Sequence, residues 1–190
     1  MSAAQSDKQI TKQILPQSEI SNIENLTSLL SSNGISVDKA ALLPARVNQS
    51  RTVRARWKSA GTASLKQPFT TEMAQEGSLS LLEIKPNRGG LARQRSLELS
   101  PTQVLVVMVN QNNQVLWWDL MSDPRLLRAE TADANGLISG KTLYSTNAEL
   151  LVSYPADETI TELRFYHPDW DGQSYSLKLI GNLFVASAAK

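Results

Sequence analysis

Two hydrophobic periods divide this chain. Residues up to about 44 carry apolar side chains at helical spacing, and from about residue 50 the repeat becomes two, that of a pleated strand. Residues 1–17 are polar and broken by Pro16, which reads as a flexible N-terminal arm. Residues 18–44 form a helical segment. Ser21 and Glu24 have capping-box spacing: the hydroxyl accepts from the Glu24 amide while the carboxylate returns to the Ser21 amide. Ile23, Leu26, Leu29 and Leu30 then share one face, and Asn33-Gly34 supplies the left-handed residue that ends the helix. A second short helix is expected from Ser36, with Val37, Ala40 and Ala41 inward, stopping before Pro44.

In 52–58, Val53, Ala55 and Trp57 alternate with Arg54, Arg56 and Lys58, one face apolar and the other cationic. In 78–85 the phase changes between Leu81 and Leu82, the mark of a bulge. Val104 to Val109 is apolar at every position, so both faces of that strand must be covered. After the polar run Asn110 to Asn113, Val115 to Leu120 repeats the pattern, and the two runs predict a hairpin at the centre of a sheet. One face would pack on a second sheet, the other under the helices of 21–43. A turn at 122–125 with Pro124 preset, an unassigned stretch 126–140 with a tight turn at Asn135-Gly136, and strands near 142–145, 149–154, 160–166 and 174–185 complete the chain, the last with a bend at Gly181.

Eight or nine short strands at this spacing predict a mainly β protein, an antiparallel β-sandwich (Ig-like or jelly-roll-like) over residues 50–187 with two short N-terminal helices packed on it.

Composition narrows the chemistry more than the fold. There is no cysteine and one histidine, so disulfides, thiolate metal sites, iron–sulfur clusters and cysteine nucleophiles are excluded. Ser, Thr, Asn and Gln supply 57 of the 190 residues, which gives polarity without the charge of a disordered tail. No cofactor is expected. No stretch approaches the ~18–20 apolar residues of a membrane span, and Met1 to Gln17 lacks the apolar core of a signal peptide. The composition suits a periplasmic or extracellular protein if a leader was removed, and otherwise a cytoplasmic one. The formal net charge of +1 conceals a basic middle, for residues 46–95 carry ten bases against Glu72, Glu76 and Glu83.

Two constellations are candidates for binding. Arg54, Arg56 and Lys58 project from one strand face about 6.6–7 Å apart, a ladder that phosphates or sulfates can match, with Arg88, Arg93 and Arg95 adding to it. The bland alternative is a solvated face, or like charges protecting a sheet edge. His167, Asp169, Trp170 and Asp171, just before Gly172, resemble the start of a calcium loop, but Lys178 stands where the closing acid belongs. A hairpin turn, or a sugar platform around Trp170, Tyr166 and Tyr175, accounts for the same residues. Carboxylate pairs such as Asp119 with Asp123 or Asp169 with Asp171 are the remaining enzymatic candidates, since the chain has no nucleophile elbow, phosphate loop or zinc-protease motif. The resulting expectation is a non-catalytic binding module, of a bacterial envelope or secreted system, that meets a protein partner through sheet edges and loops. Polyanion (nucleic acid or sulfated polysaccharide) binding and carbohydrate binding are the alternatives.

Overall fold

The computed structural model describes residues 23–59, 77–93, 99–132 and 135–185. The protein is mainly β, in antiparallel sheets, with little helix. One helix, α1 (Ile23–Ser32), precedes eleven strands among the described residues: β1 (Arg46–Val47), β2 (Ser50–Ser59), β3 (Gly77–Asn87), β4 (Leu91–Ala92), β5 (Gln103–Val109), β6 (Val115–Ser122), β7 (Leu126–Ala132), β8 (Ile138–Tyr144), β9 (Asn147–Pro155), β10 (Glu162–Trp170) and β11 (Tyr175–Phe184). They form a four-stranded sheet in the order β11-β10-β5-β6, a three-stranded sheet β3-β2-β9, and two-stranded sheets β1-β4 and β7-β8.

Alternation explains how the two larger sheets meet. Val53, Ala55 and Trp57 of β2 and Leu150, Val152 and Tyr154 of β9 are buried in one cluster with Val106 and Met108 of β5, Trp117 of β6, Leu163 and Phe165 of β10, and Ile180 and Leu183 of β11. The other side of the four-stranded sheet is also covered. Leu105, Val107, Val109, Val115, Trp118, Tyr166 and Leu177 lie beneath Leu30 and Ile35. This is why β5 is apolar at every position from Val104 to Val109: its even residues face the second sheet, its odd ones the helix side.

The end of α1 shows how Leu30 is fixed there. The Ile35 amide donates to the Leu30 carbonyl and the Gly34 amide to the Ser31 carbonyl, both at 3.0 Å, with Gly34 at φ +73°. That is a Schellman motif, and its usual apolar contact is present because Leu30 and Ile35 share the cluster. Burying a leucine side chain this way stabilises by about 1.5–3 kcal/mol. The expected cap at Ser21 and the arm 1–17 lie outside the described residues.

The expected second helix does not form. Ser36 makes a parallel bridge to Gln114, the Val115 amide donates to the Ser36 carbonyl, and the Leu43 amide donates to the Leu116 carbonyl. Between them, Asp38 caps a single turn through the Ala40 and Ala41 amides. Seven residues before a proline are too few to nucleate a helix against that competition, and the segment instead covers part of the exposed edge of β6. The β5–β6 hairpin is present, turned by Asn110 to Gln114 with Asn113 at φ 58°, but only β5 is interior and β6 is an edge strand.

Both expected phase changes are bulges. The β2–β3 register skips Leu82, and the β10–β11 register skips Ile180 beside Gly181. At Gly181 a Cβ would come within 3.1 Å of the Leu79 side chain, so β11 approaches β3 closely there. The stretch 126–140 forms most of the hairpin β7–β8, which pairs with no other strand among the described residues.

Candidate functional site

Three of the six basic candidates share one face of β2, and the others stand elsewhere or outside the described residues. Alternation along β2 turns Arg54, Arg56 and Lys58 to the outer face of the three-stranded sheet, away from the core. β2 is the middle strand, paired with β3 and β9, so edge protection is not what these charges provide. Glu149 on β9 stands opposite Arg56, its carboxylate 3.0 Å from Arg56 Nη2 and 3.8 Å from Arg54 Nε. It therefore neutralises part of the ladder, while Lys58 is exposed beyond it. Arg88 is exposed elsewhere, beside a shallow cleft of about 550 Å³ whose walls include Asn48, Asn87, Arg51 and Glu158. Arg51 is occupied by an ion pair with Glu158.

Arg93 belongs to the packing. It donates to the Leu43 carbonyl at 3.1 Å, and its guanidinium lies 4.5 Å from the ring centre of Trp118 and 5.6 Å from that of Trp117, over the β6 edge. Arg95 lies outside the described residues. The ladder thus keeps Arg54, Arg56 and Lys58, with Lys85 on β3 paired to Glu83 at 3.0 Å.

The structure divides the 167–171 run between a strand and a turn. His167, Asp169 and Trp170 belong to β10, and the turn begins at Asp171. Asp171 accepts from the Gln173 and Ser174 amides at 2.8 Å, with Gly172 at φ +100°, and these bonds hold its carboxyl below the usual carboxylate range. Asp169 is paired with Lys178 at 2.9 Å across the hairpin. Trp170 tilts against Tyr175 at 4.8 Å between ring centres, and the Tyr175 hydroxyl donates to the Leu99 carbonyl. His167 points the other way, with Phe165, into the interior, where it is 3% exposed. Its strand alternation with Leu163 and Phe165 was the signal for that. No group of three His, Cys, Asp or Glu able to hold a metal occurs among the described residues.

Sequence reasoning missed the cluster that His167 joins. Asp123 and Arg125, both with fully buried side chains, form an ion pair at 2.7 Å in the turn between β6 and β7. Asp123 Oδ1 also accepts from the Arg125 amide and Nε, and the Arg125 guanidinium stacks 3.5 Å from the centre of Trp57 on β2. Tyr144 of β8 lies 6.0 Å from the same guanidinium. The pairing is two residues apart inside a turn, a spacing that hydrophobic period does not test. Asp119 is half-buried on β6, its carboxylate accepting from the Leu120 amide, and burial pushes it up. Asp123 is committed to Arg125, so it does not serve as the second acid of a pair with Asp119.

Unburied apolar residues form the remaining feature. Leu127, Leu137 and Ile138 on the β7–β8 hairpin are 52%, 69% and 72% exposed, and Leu151 on the edge strand β9 is 64% exposed. No helix among the described residues is long and apolar enough to cross a membrane. No family model, curated protein or solved structure matches the chain.

Proposed function

We propose that the chain is a non-catalytic binding module, a β-sandwich whose two larger sheets are its layers, and that it meets a protein partner through the hairpin β7–β8 and the edge strand β9. The observation that carries this reading is the exposure of Leu127, Leu137 and Ile138 on a hairpin paired with no other strand among the described residues. An apolar residue kept in water without packing benefit gains its free energy when another surface covers it. β9 adds a ladder edge with Leu151 beside it, suited to strand addition. β3 and β11, the other open edges, each carry a bulge that disfavours pairing. An extracytoplasmic bacterial setting belongs to the proposal and rests on composition. A photo-crosslinking residue at Leu137 or Leu151 should give a discrete adduct in native extract, and one at Lys39 should not. Equal labelling from all three positions, or none, would refute the reading.

A second reading has its own support. Arg54, Arg56 and Lys58 lie on a sheet face with no element packed over it among the described residues, so a polyanion can reach all three. Heparin retention that collapses with salt and disappears in Arg54→Ala/Arg56→Ala is the expected sign. No retention at low salt removes it. The sugar platform has less support, because Trp170 and Tyr175 spend facing surface on each other.

A further inference from the structure

A buried histidine on β10 and a buried ion pair in the β6–β7 turn flank the start of β5 at the root of a hairpin, an arrangement that couples protonation to how that hairpin is held. The Asp123 amide donates to the Thr102 carbonyl, the Leu126 amide to the Asp123 carbonyl, and the Ser145 amide to the Arg125 carbonyl, so the Asp123–Arg125 turn ties both ends of β7–β8 to the start of β5. Arg125 continues the tie to the three-stranded sheet by stacking on Trp57. His167 contributes from β10.

We propose that Asp123, Arg125 and His167 form a proton-sensitive clasp that holds the β7–β8 hairpin against the two sheets near neutral pH and releases it in acid. The clasp does not depend on the hairpin's being a contact surface.

The groups facing the imidazole set the sign. Nδ1 of His167 has no hydrogen-bond partner, while the ring bonds to the Pro101 carbonyl. Around it stand Asp123 and Arg125 from the turn and Asp169 from its own strand, the last already bridged to Lys178 of β11. Tyr144 of β8 and Trp57 of β2 flank Arg125. Protonation converts Nδ1 from an acceptor into a donor and adds a second buried cation to the field of Asp123, whose two oxygens already serve Arg125. With Asp169 already bridged to Lys178, the new cation gains a partner by drawing Asp123 from Arg125 or by opening the turn to water. Burial, the largest influence, pushes His167 below its ordinary value, with Arg125 acting the same way against Asp123, Pro101 and Asp169. The open state then binds the proton more tightly than the closed one. The closed clasp is therefore fully stable above about pH 6.5 and loses stability as pH falls through the closed-state value.

His167 is the only histidine, so its ring can be followed by NMR in the unaltered protein. Hydrogen exchange, corrected for intrinsic rates, is read between pH 7.5 and 5. Protection of hairpin amides should fall toward tenfold per pH unit below about 6.5, with β5 and β10 unchanged and the His167 ring titrating over the same range. His167→Gln, neutral at every pH, should remove the slope. Flat hairpin protection, equal loss in β5, an unchanged slope in His167→Gln, or a ring midpoint outside the hairpin transition would each overturn the clasp. The ring comparison uses the unaltered chain, so it decides even if His167→Gln fails to fold.

Discussion

The two larger sheets share one interior but differ in their outer faces. The four-stranded sheet is covered on both sides along β5, by the second sheet through Val106, Met108 and Phe165 and by Leu30 and Ile35 over Trp118 and Tyr166, while its edge strand β11 leaves Leu179 and Phe184 exposed. The three-stranded sheet is covered on one side and presents Arg54, Arg56, Lys58, Glu149 and Leu151 to water on the other. Covered faces hold the fold, and open ones are available for contact. The difference teaches that charge on β2 and apolarity on β5 are one rule applied to strands with one and two neighbours in depth. Where the layers meet at the hairpin root, that rule is broken by a buried ion pair.

The largest expected effect tests that exception. Arg125→Ala leaves Asp123 as a buried carboxylate with its ion-pair partner removed, a change that typically costs about 3–5 kcal/mol. The urea midpoint should fall accordingly. Asp123→Asn/Arg125→Met removes both charges and should lose less than Arg125→Ala alone, because the desolvation penalty goes with them. If the two variants unfold at the same midpoint, the stacking of Arg125 on Trp57 rather than the charge pair is what holds the seam.

Leu30→Ala tests the cover over the four-stranded sheet. Leu30 is 0% exposed, and emptying such a site costs about 2–4 kcal/mol, with the emission of Trp118 beneath it expected to shift red. Leu151→Ala on the open sheet should change stability by less than about 0.5 kcal/mol. Equal losses from the two leucines would mean that the two outer faces do not differ as described.

These expectations show which features local pattern could disclose. The alternation of Val53, Ala55 and Trp57, the doubly apolar β5, both bulges and the Asn33-Gly34 stop are decided by residues within a few positions of one another, and the chain displays them directly. Whether β2 is central or marginal depends on Glu149 and Leu151 arriving from almost a hundred positions away, and no period reports that. The segment 36–43 misled for the same reason: its helical spacing is genuine, but the vacant β6 edge is a stronger partner than its own backbone. His167 was legible, since alternation from Leu163 places it inward. The attraction of a metal-like run of acids obscured a phase that the strand had already set.

The smallest effect on stability carries the sharpest information about the open sheet. Glu149 bridges Arg54 and Arg56 with about half of its side chain exposed, and an exposed pair of this kind contributes about 0–1 kcal/mol, so Glu149→Gln should leave the unfolding midpoint nearly unchanged. Its electrostatic consequence is larger, because it removes the carboxylate that stands opposite Arg56 and is shared by Arg54 and Arg56. If the β2 face takes polyanions, retention on heparin at low salt should rise in Glu149→Gln, fall in Arg56→Ala, and lose the gain as salt screens the charges. If the face is merely solvated, with Glu149 there to balance its neighbours, Glu149→Gln should elute with the equally charged Glu130→Gln, and Arg56→Ala carrying Glu130→Gln should elute with the unaltered protein. That separates a surface that binds because of where its charges stand from one that carries charge only to remain in water.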